Sequence, residues 1–245
     1  KTEFSIRDLE NLSGVKAHTI RIWEKRYGLL SPSRTDSNIR IYDIKGLRKL
    51  LNTSWLLQQG YKISKVAKMT ESEMNLAVRE GNVHDQSGDL VNNELKLAML
   101  DFDEDKFNRA LDRLELEMSF REIFSKVFVR FLEDVGKWWM TDVIRPAHEH
   151  FVSNLVRQKL YVNIEKASRM ERASPNELYV LFTPVNEIHD LGLLYIHYEL
   201  LLRGKRSVYL GQSVPVNDLA LVDKQGKVCT YVCAATIQPD SDHLS

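Results

Sequence analysis

The sequence predicts a multidomain fold with α-helical and α/β parts: a helix-turn-helix head, a four-helix bundle and an incomplete, Rossmann-like α/β domain. Residues 4–30 read as two short helices around a glycine turn, and residues 90–167 hold four segments with helical periodicity. From residue 177 onward, short apolar strands alternate with helices. The length of 245 residues, with 43% hydrophobic and 28% charged residues, suits two or three compact globular domains.

The head is predicted from the stretch FSIRDLENLSGVKAHTIRIWEKRYGLL, in which Ser13-Gly14 separates two apolar-faced helices. A loop rich in proline, serine and asparagine then closes on a strand-like segment at 39–42. Two more helices follow, broken at Gly60. We expect this domain to cover residues 1–78, and the polar stretch REGNVHDQSGD at 79–89 to be a linker.

The bundle is predicted over residues 90–170, where four helical segments are joined by short connections. The first segment runs over 90–100, and Asp101 or Asp103 is the expected N-cap of the second. The third segment ends in a Trp-Trp pair, and the fourth runs from about Pro146 to Ala167.

The α/β domain is predicted over residues 175–245, with strands at 177–182, 207–210 and 230–237 and helices at 189–204 and 216–224. This alternation implies parallel strand pairing. Three strands with an exposed edge make a poor domain, so we expect its C-terminal part to lie beyond residue 245. Cys229 and Cys233 lie in a strand-like run and read as buried thiols rather than zinc ligands.

Charge is distributed unevenly along the chain, although its net value is zero. Residues 1–70 carry eight more basic than acidic groups, and the remaining residues carry the opposite excess. A basic head on an acidic body indicates a polyanionic partner for the head alone. The sequence has no apolar run that could span a bilayer, no secretory pattern and only two cysteines, so we expect a cytoplasmic protein that does not enter membranes.

The head resembles the winged helix-turn-helix of MerR-family transcriptional regulators, through the stretch TIRIWEKRYGLLSPSRTDSNIRIYD. The resemblance implies binding to pseudo-palindromic double-stranded DNA as a dimer or tetramer. Carried over residue by residue, it assigns DNA contacts on the second helix and on the wing to Thr19, Arg21, Trp23, Arg26, Tyr27, Arg34, Thr35, Arg40 and Tyr42. Arginines suit phosphate and guanine contacts, and hydroxyls add contacts that set register. The aromatic residues in this set equally suit core packing, and the arginines a solvated face.

The body resembles the cobalamin-binding modules of corrinoid proteins and of light-sensing MerR regulators. One motif is Glu187-Ile188-His189-Asp190-Leu191-Gly192, which follows a strand and opens a helix. The resemblance implies that His189 is the lower axial ligand of cobalt. The second motif is Trp139 followed, after nine residues, by Glu149-His150. The resemblance implies that this tryptophan covers the upper corrin face, and that the acidic–histidine pair lies near the upper ligand.

The chemistry of these residue types agrees with the implied roles. Imidazole is a good ligand for cobalt, and the Glu187 carboxylate can accept the other ring N–H of His189, which fixes the tautomer. Gly192 would allow a close approach of backbone or cofactor. His189 could instead be an ordinary residue at a helix start. Zinc binding by His148, Glu149 and His150 is disfavoured, because histidines at i and i+2 point to different helix faces.

Two departures from the pattern affect what the resemblance implies. Light-sensing members tend to carry histidine directly after the bundle tryptophan, whereas this chain has Met140. The Ser-x-Leu that follows the third strand in the family is here Ala235-Thr236-Ile237, which removes a hydroxyl expected to hold the nucleotide tail.

The sequence therefore predicts a DNA-binding regulator, a repressor by resemblance, whose C-terminal half senses a cobalamin such as adenosylcobalamin and responds to light. One alternative keeps the DNA head but makes the body a cobalamin-free dimerisation or interaction module. Another makes the chain a corrinoid enzyme subunit, which the basic head disfavours.

Overall fold

The computed structural model describes residues 3–81, 89–169, 177–223 and 228–236. The chain divides into two compact units, Lys1–Val152 and Ser153–Ser245, and the boundary falls inside one long helix. None of the helices in these described ranges is both long and apolar enough to cross a membrane.

The first unit begins with a head of three short strands and five helices. Its elements are β1 (Glu3–Phe4), α1 (Ile6–Ser13), α2 (Ala17–Tyr27), β2 (Ser33–Arg34), β3 (Arg40–Asp43), α3 (Ile44–Gln58), α4 (Ile63–Val66) and α5 (Glu71–Gly81). β3 pairs antiparallel with both β1 and β2, so the β2–β3 hairpin forms a wing that follows α2.

Local sequence explains where the first two helices begin and end. Ser5 and Asp8 form a capping box at the start of α1 and satisfy two backbone N–H groups. Gly14 and Gly28 follow α1 and α2 in the left-handed conformation, with φ of 72° and 61°. Glycine adopts this conformation without a Cβ penalty, so both helices end where the sequence predicts.

Four helical segments follow the head, in the predicted order. They are α6 (Asp89–Asp101), α7 (Glu104–Glu115), a long rod from Phe120 to Met140, and α10 (Pro146–Ser168). Asp103 is the N-cap of α7 and accepts the backbone N–H of Lys106 at 2.8 Å. The rod consists of α8 (Phe120–Ile123), a π-helical turn (Phe124–Phe128) and α9 (Val129–Met140).

Aromatic side chains fill the space between α7 and the rod. The rings of Phe107 and Phe128 stack at 6.0 Å, and Phe120 and Phe124 both contact Phe128. Such ring pairs add to the free energy gained by burying apolar surface. The π turn lies among these phenylalanines and was not predicted, since periodicity alone does not distinguish it from an α-helix.

The head is joined to these helices by polar contacts at the end of α1. The indole N–H of Trp138 donates to the backbone oxygen of Asn11 at 3.1 Å. The ammonium of Lys96 donates to the backbone oxygen of Leu12 at 3.3 Å and lies 5.2 Å from the centre of the Trp138 ring. Burial lowers the pKa of Lys96, since the charged form is disfavoured away from water. The last carbonyls of α1 are thus capped by the body.

The second unit holds a parallel three-stranded sheet in the order β5-β4-β6. Its elements are β4 (Glu177–Phe182), α11 (Leu191–Leu202), β5 (Ser207–Gly211), a 3₁₀ turn (Val216–Leu219), α12 (Ala220–Asp223) and β6 (Val228–Cys233). β4 pairs in parallel with both neighbours, which confirms the predicted pairing. The turns that leave β4 and β5 therefore meet at the same edge of the sheet.

Several sequence-based boundaries need correction. α5 continues to Gly81, three residues into the predicted linker, while residues 82–88 lie outside the described residues. The third strand starts at Val228 and ends at Cys233 rather than covering 230–237, and residue 237 is outside the described ranges. Cys233 is exposed and Cys229 half-buried, because β6 lies at an edge of the described sheet.

Truncation of a central β4 side chain tests this arrangement. Leu181 is fully buried, so Leu181→Ala should destabilise the sheet by about 3 kcal/mol through lost burial and a residual cavity. That loss corresponds to about a 100-fold faster hydrogen exchange of β4 amides, measured by mass spectrometry. Leu210→Ala on β5 is the matched control, since Leu210 is 38% exposed. Equal acceleration by both variants would contradict the assignment of β4 as the core strand.

Candidate functional site

The exposed face of α2 carries the basic side chains that the sequence predicts for DNA contact. Arg21 and Arg26 are exposed, and the Arg26 guanidinium lies 5.8 Å from the centre of the Tyr27 ring. Trp23 and Thr19 on the same helix are half-buried. The surface of α2 therefore presents exposed arginines next to half-buried aromatic and hydroxyl side chains. This combination suits contact with a polyanion.

The wing is held in shape by its own side chains. Arg34 at its tip is exposed and donates to the side chain of Asn38 at 2.5 Å. The hydroxyl of Thr35 accepts the backbone N–H of Ile39 at 3.0 Å, and Asn38 adopts a left-handed backbone with φ of 63°. Asparagine tolerates this conformation better than most residues, so the turn fixes where Arg34 is presented.

Glu24, which was not predicted as a functional residue from the sequence, fixes the wing to α2. Its carboxylate accepts from the Arg40 guanidinium at 3.2 Å and from the Tyr42 hydroxyl. Tyr42 is buried, and burial together with Glu24 raises the pKa of its hydroxyl. The Tyr42 side chain therefore lies inside the head and holds the wing to α2, whereas it was expected on the DNA-facing surface. The guanidinium of Arg40 is partly occupied by its hydrogen bond to Glu24.

The second candidate site begins at the end of α9. Trp139 lies in the last turn and is 54% exposed, while the neighbouring Trp138 is buried against the head. Met140, which follows Trp139, is also exposed. In the first turns of α10, Nδ1 of His150 lies 2.7 Å from a carboxylate oxygen of Glu149. The structure thus gives the two tryptophans different surroundings.

His189 is held by a buried carboxylate. Glu187, with its side chain only 4% exposed, accepts from Nδ1 of His189 at 2.7 Å and from the backbone N–H of His189 at 2.8 Å. Its other oxygen accepts the backbone N–H and the hydroxyl of Thr236, at 2.6 and 2.7 Å. Burial alone would raise the pKa of Glu187, but the hydrogen bonds from Thr236 and His189 outweigh it and hold the pKa well below its usual range.

The loops around His189 carry backbone strain. Asn186 and Ser213 both adopt positive φ, of 69° and 56°, and the Asn186 N–H donates to the Ser213 hydroxyl at 3.2 Å. A positive φ costs free energy in a residue other than glycine, and it persists where the surrounding contacts enforce it. Such residues are often found at functional sites. Gly192 lies in the first turn of α11 beside open space, where an added Cβ would meet no atom within 4 Å. Packing in the described chain therefore does not require glycine there.

The His189 imidazole can supply one ligand to a metal ion that is held by a bound cofactor. An ionised carboxylate only accepts hydrogen bonds, so Nδ1 of His189 carries the hydrogen and Nε2 of the neutral ring presents a lone pair. The His189 side chain is 62% exposed, and no hydrogen bond within the described part of the chain engages Nε2. Within the described ranges no group of three or more histidine, cysteine or acidic side chains could hold a free metal ion. The residues present fit a cobalamin, which needs a single axial imidazole.

Comparison with known families gives two matches along the chain. Residues 4–73 match the family described as MerR HTH family regulatory protein. Residues 91–162 match the family described as B12 binding domain. The chain is therefore a MerR-type regulator whose body contains a B12-binding domain.

Two curated relatives extend the match over most of the chain. The HTH-type transcriptional repressor CarH of Myxococcus xanthus is 31% identical over 222 residues, covering 88% of this chain and 73% of that protein. The repressor CarA of the same organism is 26% identical, covering 86% of this chain and 68% of that protein. This chain belongs to the CarH-like branch of the MerR regulators.

Two further similarities are more limited. The regulator MlrA of Escherichia coli is 32% identical over 78 residues, which cover 32% of each chain. The methanol:cobalamin methyltransferase complex MtaBC from Methanosarcina barkeri covers 74% of this chain and 69% of that chain, at 17% identity and a TM-score of 0.32. A structural likeness at that score supports no conclusion about this chain.

The contacts of Glu24 with the wing predict an effect on DNA affinity opposite to the one usually expected when an acid is removed. Removing an acid beside a polyanion normally strengthens binding. We expect Glu24→Ala to weaken DNA binding about tenfold, or about 1.4 kcal/mol, because the wing loses its attachment to α2. The measurement is fluorescence anisotropy with a duplex that the cobalamin-loaded wild-type protein selects from a random-sequence pool (the selected duplex).

Asp36→Ala is the matched control, since Asp36 is an exposed acid in the wing turn. It should leave affinity unchanged or raise it. A gain in affinity for both variants would contradict the role of Glu24 as a brace.

Proposed function

We propose that this protein is a cytoplasmic, cobalamin-sensing transcriptional regulator that represses its target when the cofactor is bound. The observation that carries the proposal is the presence, in one chain, of a basic winged head and a histidine whose Nδ1 is held by a buried carboxylate. CarH and CarA, the relatives that match most of the chain, are both named repressors.

In this proposal α2 and the wing contact DNA. Arg21, Arg26 and Arg34 are exposed and neutralise phosphates or read guanine, so binding weakens as salt rises. Thr19, Trp23, Tyr27 and Thr35 add contacts that set register. Arg40 contributes from its position beside Glu24, whereas Tyr42 acts only by holding the wing.

His189 is assigned as the lower axial ligand of a cobalamin. Glu187 holds its Nδ1–H and so keeps the ring in the tautomer in which Nε2 binds metal. Trp139 is assigned to the upper corrin face, where an exposed indole is a suitable flat cover. Glu149 and His150 are assigned to the neighbourhood of the upper ligand, and Gly192 to a close approach of the cofactor.

The signal has a short physical route from Trp139 to the head. Trp138, the preceding residue, donates its indole N–H to the Asn11 carbonyl at the end of α1. A ligand that packs on Trp139 therefore acts on the helix turn that holds the head. A difference in free energy between ligand-bound and ligand-free states of this turn couples the two sites.

We propose adenosylcobalamin as the effector and light as the trigger. When bound, this cofactor supplies a cobalt–carbon bond that light breaks. Because Met140 rather than histidine follows Trp139, this position would supply no imidazole to a bound cofactor. We further propose that a dimer or tetramer reads a pseudo-palindromic operator, with one head for each half-site.

A paired spectroscopic and DNA-binding experiment tests the function. The full chain is loaded with adenosylcobalamin in the dark, and its visible spectrum and gel mobility with the selected duplex are recorded before and after illumination. We expect bound cofactor, a shifted duplex in the dark and release of the duplex by light. His189→Ala should lose the spectrum of imidazole-ligated cobalt and at least about tenfold in cofactor affinity, equal to about 1.4 kcal/mol.

Ile188→Ala is the matched control, because Ile188 is an exposed neighbour in the same loop. It should retain the wild-type spectrum. A wild-type protein that binds the duplex but no cobalamin would support the cobalamin-free module instead. Bound cobalamin with DNA binding indifferent to it would support a carrier or enzyme subunit.

A further inference from the structure

Asp190, the residue after His189, makes a buried ion pair with a distant helix. Its carboxylate oxygen Oδ1 lies 2.7 Å from Nη1 of Arg157 on α10. Its other oxygen accepts the hydroxyl of Tyr209 on β5. Asp190 is almost completely buried and Arg157 is half-buried, so two separate elements, α10 and β5, converge on one carboxylate beside the candidate ligand.

This use of Asp190 is unexpected from its position. Asp190 is the N-cap of α11, where an aspartate side chain ordinarily accepts a backbone N–H of the first turn. Here its side chain makes no capping hydrogen bond and turns to Arg157 and Tyr209 instead. The ion pair therefore replaces a stabilising capping contact that this residue type readily makes.

The loop after β5 adds a second connection to the same peptide segment. The side-chain amide of Gln212 donates to the backbone oxygen of Ile188 at 2.7 Å. The carboxylate of Asp190 is thus paired on both oxygens, and the backbone on both sides of His189 is anchored.

Stability alone is a weak reason for such a pair. Two charges lose hydration when they are buried, and the attraction between them roughly balances that loss. A buried pair nevertheless fixes geometry, because removing one partner leaves an uncompensated charge. The geometry fixed here is that of the peptide carrying His189 relative to the part of α10 that carries Arg157.

We propose that Asp190 and Arg157 are positioning residues for the axial ligand, which hold the His189 backbone against α10 so that Nε2 is placed for metal ligation. The proposal rests on the assigned role of His189. Tyr209 supports it by binding the second carboxylate oxygen. Movement of α10 then changes the position of His189, and ligation at His189 restrains α10.

The test compares, by electron paramagnetic resonance, the axial ligation of cob(II)alamin bound to full-length variants that carry ¹⁵N-labelled histidine. Arg157→Met retains most of the side-chain length but removes the charge, and should replace the doublet splitting given by His189 with the triplet given by the cofactor's own base and weaken binding about tenfold. Arg157→Lys should restore part of the ligation, and Tyr209→Phe should give an intermediate spectrum. Arg203→Met is the matched control, since Arg203 forms a surface ion pair with Glu199 on α11.

The double variant Arg157→Met/Asp190→Asn removes both charges and avoids an unpaired buried carboxylate. It should fold with a melting temperature near that of the wild type and still lose ligation. A wild-type spectrum in Arg157→Met and in the double variant would overturn the positioning role, while loss of the spectrum in His189→Ala preserves the proposed function. An unchanged spectrum in His189→Ala would overturn both.

Discussion

The candidate cofactor site depends on one buried carboxylate. Glu187 accepts two hydrogen bonds from His189 and two from Thr236, and these join the turn after β4 to the segment just beyond β6. Because the strands are parallel, both segments leave the sheet at the same edge. Burying a carboxylate without these hydrogen bonds would cost free energy. The packing that buries Glu187 therefore also requires the orientation in which the His189 imidazole donates to it.

The head depends on a similar arrangement, in which an acid orders the groups around it. Glu24 joins the wing to α2, and the carbonyls at the end of α1 are capped by Trp138 and Lys96 from the body. The surface proposed to contact DNA is therefore positioned by residues outside the proposed set of DNA contacts. In the proposed function, a change beside Trp139 reaches the head through the neighbouring Trp138.

Local features of the fold were predictable from sequence, whereas the contacts that orient the sites were not. Gly14, Gly28 and Asp103 mark helix ends because their effects act within a few residues. The contact between Glu187 and His189 was also predictable, since the two residues are near neighbours. The partnerships of Glu24 with Tyr42 and of Glu187 with Thr236 span 18 and 49 residues, and periodicity carries no information about them.

The same reasoning applies to features that the sequence left open. A Trp-Trp pair does not reveal which indole is buried, and only the packing of α1 assigns Trp138 to the head and leaves Trp139 exposed. Tyr42 suits both a DNA contact and a core brace, and its partner Glu24 decides between them. Ala235 lacks the expected hydroxyl, while the hydroxyl of Thr236 donates to Glu187.

The most direct test of the central claim, that His189 ligates cobalt, is electron paramagnetic resonance of cob(II)alamin bound to protein with ¹⁵N-labelled histidine. Ligation by His189 predicts that each cobalt line splits into a doublet in labelled protein and a triplet in unlabelled protein. Triplets that persist in the labelled protein would place the cofactor's own base on cobalt and contradict the account.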